Sequence, residues 1–287
     1  MKIKDECLYC LVRQLTKLAN KLTQDDKRKE EIINYGLEVI RDNYFKETSL
    51  FITGIIYEFA CNKTCISDPY KEEKKDFNVF ANEIIKEFSL RKYLCENYSL
   101  DELIRLSIAG NVIDFSLGYD IDKSDLQIAI DESLTANLFG SNSEKFASAI
   151  KKANNIMFIG DNAGEIVFDK LLIEKLPKNK ITYVVKGGPI VNDVTNEDAK
   201  EIELDKMVKV IDTGAAIQGI EFSKCSSIFM ESYREADLIV SKGQANYESL
   251  SERNDKETFY LLKAKCQVIA DDIGCNHNQY VLLHKGK

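Results

Sequence analysis

Ile156-Met157-Phe158-Ile159-Gly160-Asp161-Asn162-Ala163-Gly164-Glu165 is the stretch whose reading decides the fold of this 287-residue chain. Four apolar residues in a row read as a buried strand. The glycine-bounded polar turn after them leads into an amphipathic pattern over residues 165–176, a helix. The alternation repeats downstream. Short apolar runs at 181–185, 208–211, 238–240, 268–270 and 280–283 read as strands, and patterns at 196–204, 222–236 and 256–265 read as helices. Strand-helix alternation predicts a mostly parallel sheet with helices on both faces, a Rossmann-like α/β unit.

Upstream the texture differs. Leu8, Leu11, Val12, Leu15, Leu18, Ala19 and Leu22 fall three or four apart, which places one apolar stripe along a helix. Weaker versions of that pattern occur at 30–44, 77–88, 100–115, 124–138 and 143–153, and Ser99 with Glu102 forms the signature of a capping box starting a helix near Leu100. The reading is therefore a helical domain over 1–145 and a Rossmann-like α/β domain over 146–287.

Apolar residues make up 44% of the chain and charged residues 30%, ordinary globular usage, so wholesale disorder is excluded. The 39 Lys+Arg against 47 Asp+Glu give a net charge of -8 with no basic stripe, which excludes nucleic acid as a partner. No apolar run approaches the roughly 20 residues a membrane span needs, and Asp5 and Glu6 interrupt any export signal. The expectation is a cytoplasmic protein with no membrane partner; the sequence assigns no oligomeric state.

Ligands of open parallel sheets sit beyond the carboxyl ends of the strands, where loops converge and helix N-termini point inward. At those exits stand Gly160-Asp161-Asn162-Ala163-Gly164-Glu165, Lys186-Gly187-Gly188-Pro189 with Asn192-Asp193, Asp212-Thr213-Gly214, Ser241-Lys242-Gly243-Gln244-Ala245-Asn246-Tyr247, and Asp271-Asp272. Asp161, Asn162 and Asp193 offer the hard oxygen ligands that suit a divalent ion such as Mg²⁺ or Mn²⁺. The bland alternative is that each merely caps the helix after it. Lys186 and Lys242 enter glycine-containing loops where an ammonium can neutralise phosphate. Neither a Walker pattern nor Gly-x-Gly-x-x-Gly is present, which disfavours P-loop ATPases and dinucleotide enzymes.

These strings, with Cys7-Leu8-Tyr9-Cys10 and Ala109-Gly110-Asn111-Val112-Ile113-Asp114-Phe115, resemble the damage-control metal-dependent phosphatases, in particular their bacterial and archaeal branch with an N-terminal Cys-x-x-Cys. The likeness covers nearly the whole chain. It implies a divalent metal (Mn²⁺, Mg²⁺, Co²⁺ or Ni²⁺) held by Asp161, Asn162 and Asp193. It also implies a phosphate and substrate pocket lined by Lys242, Gly243, Asn246 and Tyr247, with Asn111 and Asp114 approaching from the helical domain. The likeness departs in two places: Ile211 to Ile220 stands where the family tends to carry a more polar loop, which bears on substrate choice, and Ala245 stands where a glycine is common, which slightly restricts the backbone.

The implied activity is hydrolysis of small phosphorylated metabolites, such as sugar phosphates or cofactor-precursor phosphates, in metabolite damage control. Catalytic candidates are Asp161, as the carboxylate that positions water or attacks phosphorus, Lys186, which offsets developing charge, and Glu165, which orients water or is simply a first-turn acid. The runner-up reading is a non-catalytic module that binds a phospho-ligand or metal. Cys7, Cys10, Cys61 and Cys65 carry spacings compatible with a structural zinc site, or else fill core space.

Overall fold

The computed structural model describes residues 1–91, 98–112 and 123–286. Three helices open the chain: α1 (Asp5–Leu22), α2 (Asp26–Asn43) and α3 (Ser49–Thr64). The α1 stripe buries Leu11, Leu15, Leu18 and Leu22 against Ile32, Val39 and Ile40 of α2 and Ile52 and Ile56 of α3. Helix α3 escapes a periodicity reading because apolar residues surround it almost evenly (Ser49–Thr64, SLFITGIIYEFACNKT), so no single stripe stands out.

Helices α4 (Lys71–Arg91), α5 (Leu100–Ala109), α6 (Lys123–Thr135) and α7 (Ser143–Lys152) follow. The predicted capping box is formed: the Glu102 amide donates to Ser99 Oγ at 3.2 Å and the Ser99 amide to Glu102 Oε2 at 2.9 Å. Unlike α1–α3, these helices share their core with the sheet, through residues such as Ala81, Ile104, Ile130 and Phe146.

The sheet has seven strands: β1 (Phe139–Gly140), β2 (Ile156–Ile159), β3 (Ile181–Val185), β4 (Lys209–Asp212), β5 (Leu238–Lys242), β6 (Glu257–Lys263) and β7 (Tyr280–Lys285), in the order β1-β7-β6-β5-β2-β3-β4. All neighbours are parallel except β6 and β7. Alternate residues supply the two faces: Phe158, Tyr183 and Val240 pack under α5 and α8 (Glu165–Glu174), while Met157, Val184 and Ile239 pack against α10 (Ser227–Glu235) and α11 (Gly243–Leu250). The architecture is the expected helical region followed by a mostly parallel α/β sheet.

Two segments take the opposite state to the one read from the sequence. Residues 256–265, read as a helix, contain strand β6. It lies between β5 and β7 and is buried on both faces, so the alternation that marks a strand is missing and its terminal charges imitate an amphipathic helix. Residues 268–270, read as a strand, belong to the short helix α12 (Gln267–Ile273), whose apolar run is too short for periodicity to separate the two states. Asp271 and Asp272 therefore lie on a helix and not at a strand exit.

From β2 the chain moves outward through β3 to β4, and then returns to place β5 on the other side of β2. The order reverses between β2 and β5, the point at which loops diverge and leave a crevice. Gly160-Asp161 and Gly243 follow those two strand ends directly.

Candidate active site

At the exit of β2, Gly160 lies against Tyr183, whose hydroxyl would be 2.4 Å from any Cβ added there. The next residues are stitched to the loop after β3. Val194 N donates to Asp161 O at 2.8 Å, Ala163 N donates to Asn192 O at 2.9 Å, and Asn162 pairs with Asp193 in a short antiparallel bridge. That pairing brings Asp161, Asn162 and Asp193 together, all buried. None of the three caps a helix. Helix α8 begins after Gly164 with no side-chain cap, and α9 (Asn196–Glu201) is capped by Thr195 with Asp198.

Asp161 Oδ2 accepts Nδ2 of Asn111 at 2.6 Å and Nδ2 of Asn162 at 2.8 Å. Asn111 comes from the short turn after α5 and also donates to Glu165 Oε2 at 2.7 Å. Gly243 has φ +73°, and a Cβ there would stand 1.8 Å from Asp161 Oδ2, so the carboxylate rests where only glycine leaves room. Burial pushes the Asp161 carboxyl well above the ordinary carboxylate range, and the charges of Glu165 and Asp193 push it the same way; Lys265 and Lys186 oppose them.

The two lysines expected at the phosphate are buried counter-ions. Lys242 Nζ donates to Glu165 Oε1 at 2.6 Å, to Ser107 O at 2.9 Å and to Asp169, which also accepts from Ser107 Oγ at 2.7 Å and Tyr183 OH at 2.8 Å. Burial would pull this ammonium down, but Asp169 and Glu165 outweigh it and hold it above the ordinary lysine range. Lys186 Nζ donates to Gly219 O at 2.7 Å and Asn246 Oδ1 at 3.1 Å, and lies 3.6 Å from Asp193 Oδ2. Asn246 in turn donates to Gly160 O and Lys242 O, tying α11 to the β2 exit.

A cleft of about 410 Å³ opens over these residues, walled by Asp161, Asn162, Asn111 and Asn192 on the sheet side and by α1 and α3 on the other. Glu165, Lys186, Lys242 and Asp193 stand behind that wall. Tyr247 lies elsewhere, in the core against Tyr260, with its hydroxyl donating to Asp272 at 2.7 Å. Asp114 is outside the described residues. Lys265, at the exit of β6, also lines the cleft and went unread because its segment was taken for a helix end.

The donor chemistry fits a divalent cation: two carboxylates and an amide, buried together beside a further carboxylate. Asn111 Oδ1 is also buried without a hydrogen-bond partner among the described residues. Among those residues no three His, Cys, Asp or Glu side chains cluster as a metal cage. Cys7 and Cys10 line the cleft, and Cys61 lines a neighbouring cavity.

Residues 3–281 match the family model described as the damage-control phosphatase ARMT1-like domain. The chain belongs to that family. Curated damage-control phosphatases of Pyrococcus horikoshii and Archaeoglobus fulgidus are 35% and 29% identical to it, over 95% and 96% of this chain and 94% and 96% of their own lengths. An uncharacterised protein of Methanocaldococcus jannaschii is 39% identical over 99% of this chain and 96% of its own. The crystal structure of a DUF89 family protein from P. horikoshii superposes with a TM-score of 0.90 at 32% identity, covering 99% of each chain. In this damage-control phosphatase family member, no described helix is long and apolar enough to cross a membrane.

Proposed function

We propose that this chain is a divalent-metal-dependent phosphomonoester hydrolase of the cytoplasm, acting on small phosphorylated metabolites in keeping with the name of its relatives. The observation that carries the reading is the burial of Asp161, Asn162 and Asp193 side by side at the sheet's switch point, with no helix-capping task to explain them. These three are the proposed ligands of Mn²⁺, Mg²⁺, Co²⁺ or Ni²⁺. When bound, the ion supplies charge neutralisation to a phosphate oxygen.

This chain's own groups divide the remaining work. Asp161 is the catalytic carboxylate: its Oδ2 is fixed by two amides and its Oδ1 carries no hydrogen bond among the described residues, so Oδ1 orients the attacking water. As the water oxygen bonds to phosphorus its proton passes to Asp161 Oδ1, the ester P–O bond breaks, and the alcohol leaves with a proton from solvent in the cleft while Asp161 returns its proton to solvent. Lys265, which lines the cleft after β6 and whose charge acts on Asp161, supplies a cation for the phosphate. Glu165 and Lys242 act as a positioning pair, the carboxylate holding Asn111 and the ammonium balancing its charge. Lys186 balances Asp193, while Gly243 and Asn246 keep Asp161 and Lys186 seated. In this arrangement residues 1–145 cover a site carried by 146–287.

The test is phosphate release from sugar phosphates and other small phosphomonoesters with EDTA or with each of the four ions. Metal-dependent release that Asp161→Ala abolishes supports the assignment. Folded wild-type protein that releases nothing with any ion overturns it in favour of a binding module.

A further inference from the structure

A second cavity, of about 570 Å³, lies between α3 and the loop after β4. Leu50, Gln218 and Glu248 stand in the walls of both this cavity and the catalytic cleft, so the two abut. Gln218 stands where they meet, with its Nε2 donating to Asp193 Oδ1 at 3.4 Å. The loop that forms the far wall, Ala215-Ala216-Ile217, presents small and apolar side chains.

One position on the helix side has no side chain. Gly54 lies in the middle of α3, where glycine is among the poorest helix formers, and an added Cβ there would meet nothing within 4 Å. No close approach of another element demands a glycine at this position. What its missing side chain leaves open is the cavity it lines. The lining is chiefly apolar, through Leu50, Phe51, Ile55 and Ile217, and its charged groups are three acids, Glu58, Glu221 and Glu248, against Lys224 and the amino group of Met1, which donates to Glu248 O at 2.8 Å.

We propose that this cavity is the subsite for the alcohol portion of the substrate, and that the preferred substrates are phosphomonoesters with an extended, uncharged, largely apolar alcohol in place of a compact or doubly anionic one. The acidic balance repels a second anionic group, and the apolar wall gains from each methylene it covers. The assignment rests on the reading of the adjoining cleft as a phosphatase site.

The experiment compares n-alkyl phosphates from ethyl to hexyl as substrates, and the matching alkyl phosphonates as ligands in calorimetry with Mn²⁺ present. Three proteins are used: wild type, Gly54→Phe, which fills the cavity, and Gly54→Ala, which adds helix propensity without filling it. Wild-type kcat/KM is expected to rise about tenfold or more from ethyl to hexyl phosphate. Gly54→Phe should bring the hexyl-to-ethyl ratio of kcat/KM close to one, and Gly54→Ala should retain the rise. Chain-length independence in wild type, or equal losses on both esters in Gly54→Phe, would overturn the subsite. If no ester is hydrolysed, the phosphatase reading fails separately. The phosphonates then decide the subsite: tighter hexyl binding lost in Gly54→Phe supports it, and equal affinities reject it.

Discussion

The strand exits and the three-helix unit α1–α3 bury their residues for different reasons. In α1–α3 the interior is Leu, Ile, Val and Ala with Tyr57 in one cluster, and burial is its own reward through apolar area removed from water. At the exits of β2, β3 and β5 the interior holds Asp161, Glu165, Asp169, Asp193, Lys186 and Lys242, each nearly or wholly hidden from solvent. Burying such groups is costly unless each is paired. The difference teaches that one region is built for stability and the other holds charge in place for chemistry. They meet at Ile190 and Val191, which leave the polar loop after β3 to join the apolar cluster of α1–α3.

The largest effect that sharpens this contrast comes from Lys242→Met. Glu165 and Asp169 would be left buried without their cation, and urea denaturation should show a loss of about 3–5 kcal/mol. A loss below about 1 kcal/mol would mean that the polar interior is not electrostatically held. Next is Ile190→Ala at the meeting point. It should cost about 2–4 kcal/mol by the same measurement and also weaken Mn²⁺ binding, because Ile190 anchors the loop that carries Asp193. Unchanged Mn²⁺ affinity would break the claimed link between the two regions.

The smallest effect lies at the start of β2, far from both interiors. Asp237 accepts the amides of Asn154 at 2.8 Å and Asn155 at 3.0 Å, and those hydrogen bonds hold its carboxyl below the ordinary carboxylate range. A folded-state pKa below the unfolded one adds stability that is present above the unfolded pKa and lost as pH falls through the folded one. Asp237 is exposed, so solvent screening keeps the term small. Asp237→Ala should cost about 0.5–1 kcal/mol at neutral pH. The gap from wild type should close as pH drops below the ordinary aspartate range, and a gap that persists there would contradict the assignment.

The sequence made the polar exits legible because chemistry-bearing residues follow apolar runs of strand length, as at Ile159 to Asp161 and Val185 to Lys186. It located α1 because its stripe is one-sided. It missed α3, β6 and α12 for a shared reason: apolar residues on every side of α3 and on both faces of β6, and a run too short in α12, carry no period to read. Lys265 was lost with β6. Spacing also could not tell which way a strand-end lysine points. Lys242 turns to the α8 side to meet Glu165 and Asp169, a contact across 77 and 73 residues that local pattern does not encode.

The measurement that most directly tests the central claim is Mn²⁺ binding by calorimetry to wild type, Asp161→Asn and Asp193→Asn, with folding of each checked by circular dichroism. The account predicts one tight site in wild type and a loss of about 100-fold or more in affinity in each variant. Wild-type affinity retained in both folded variants would contradict it and move the ion away from the exits of β2 and β3.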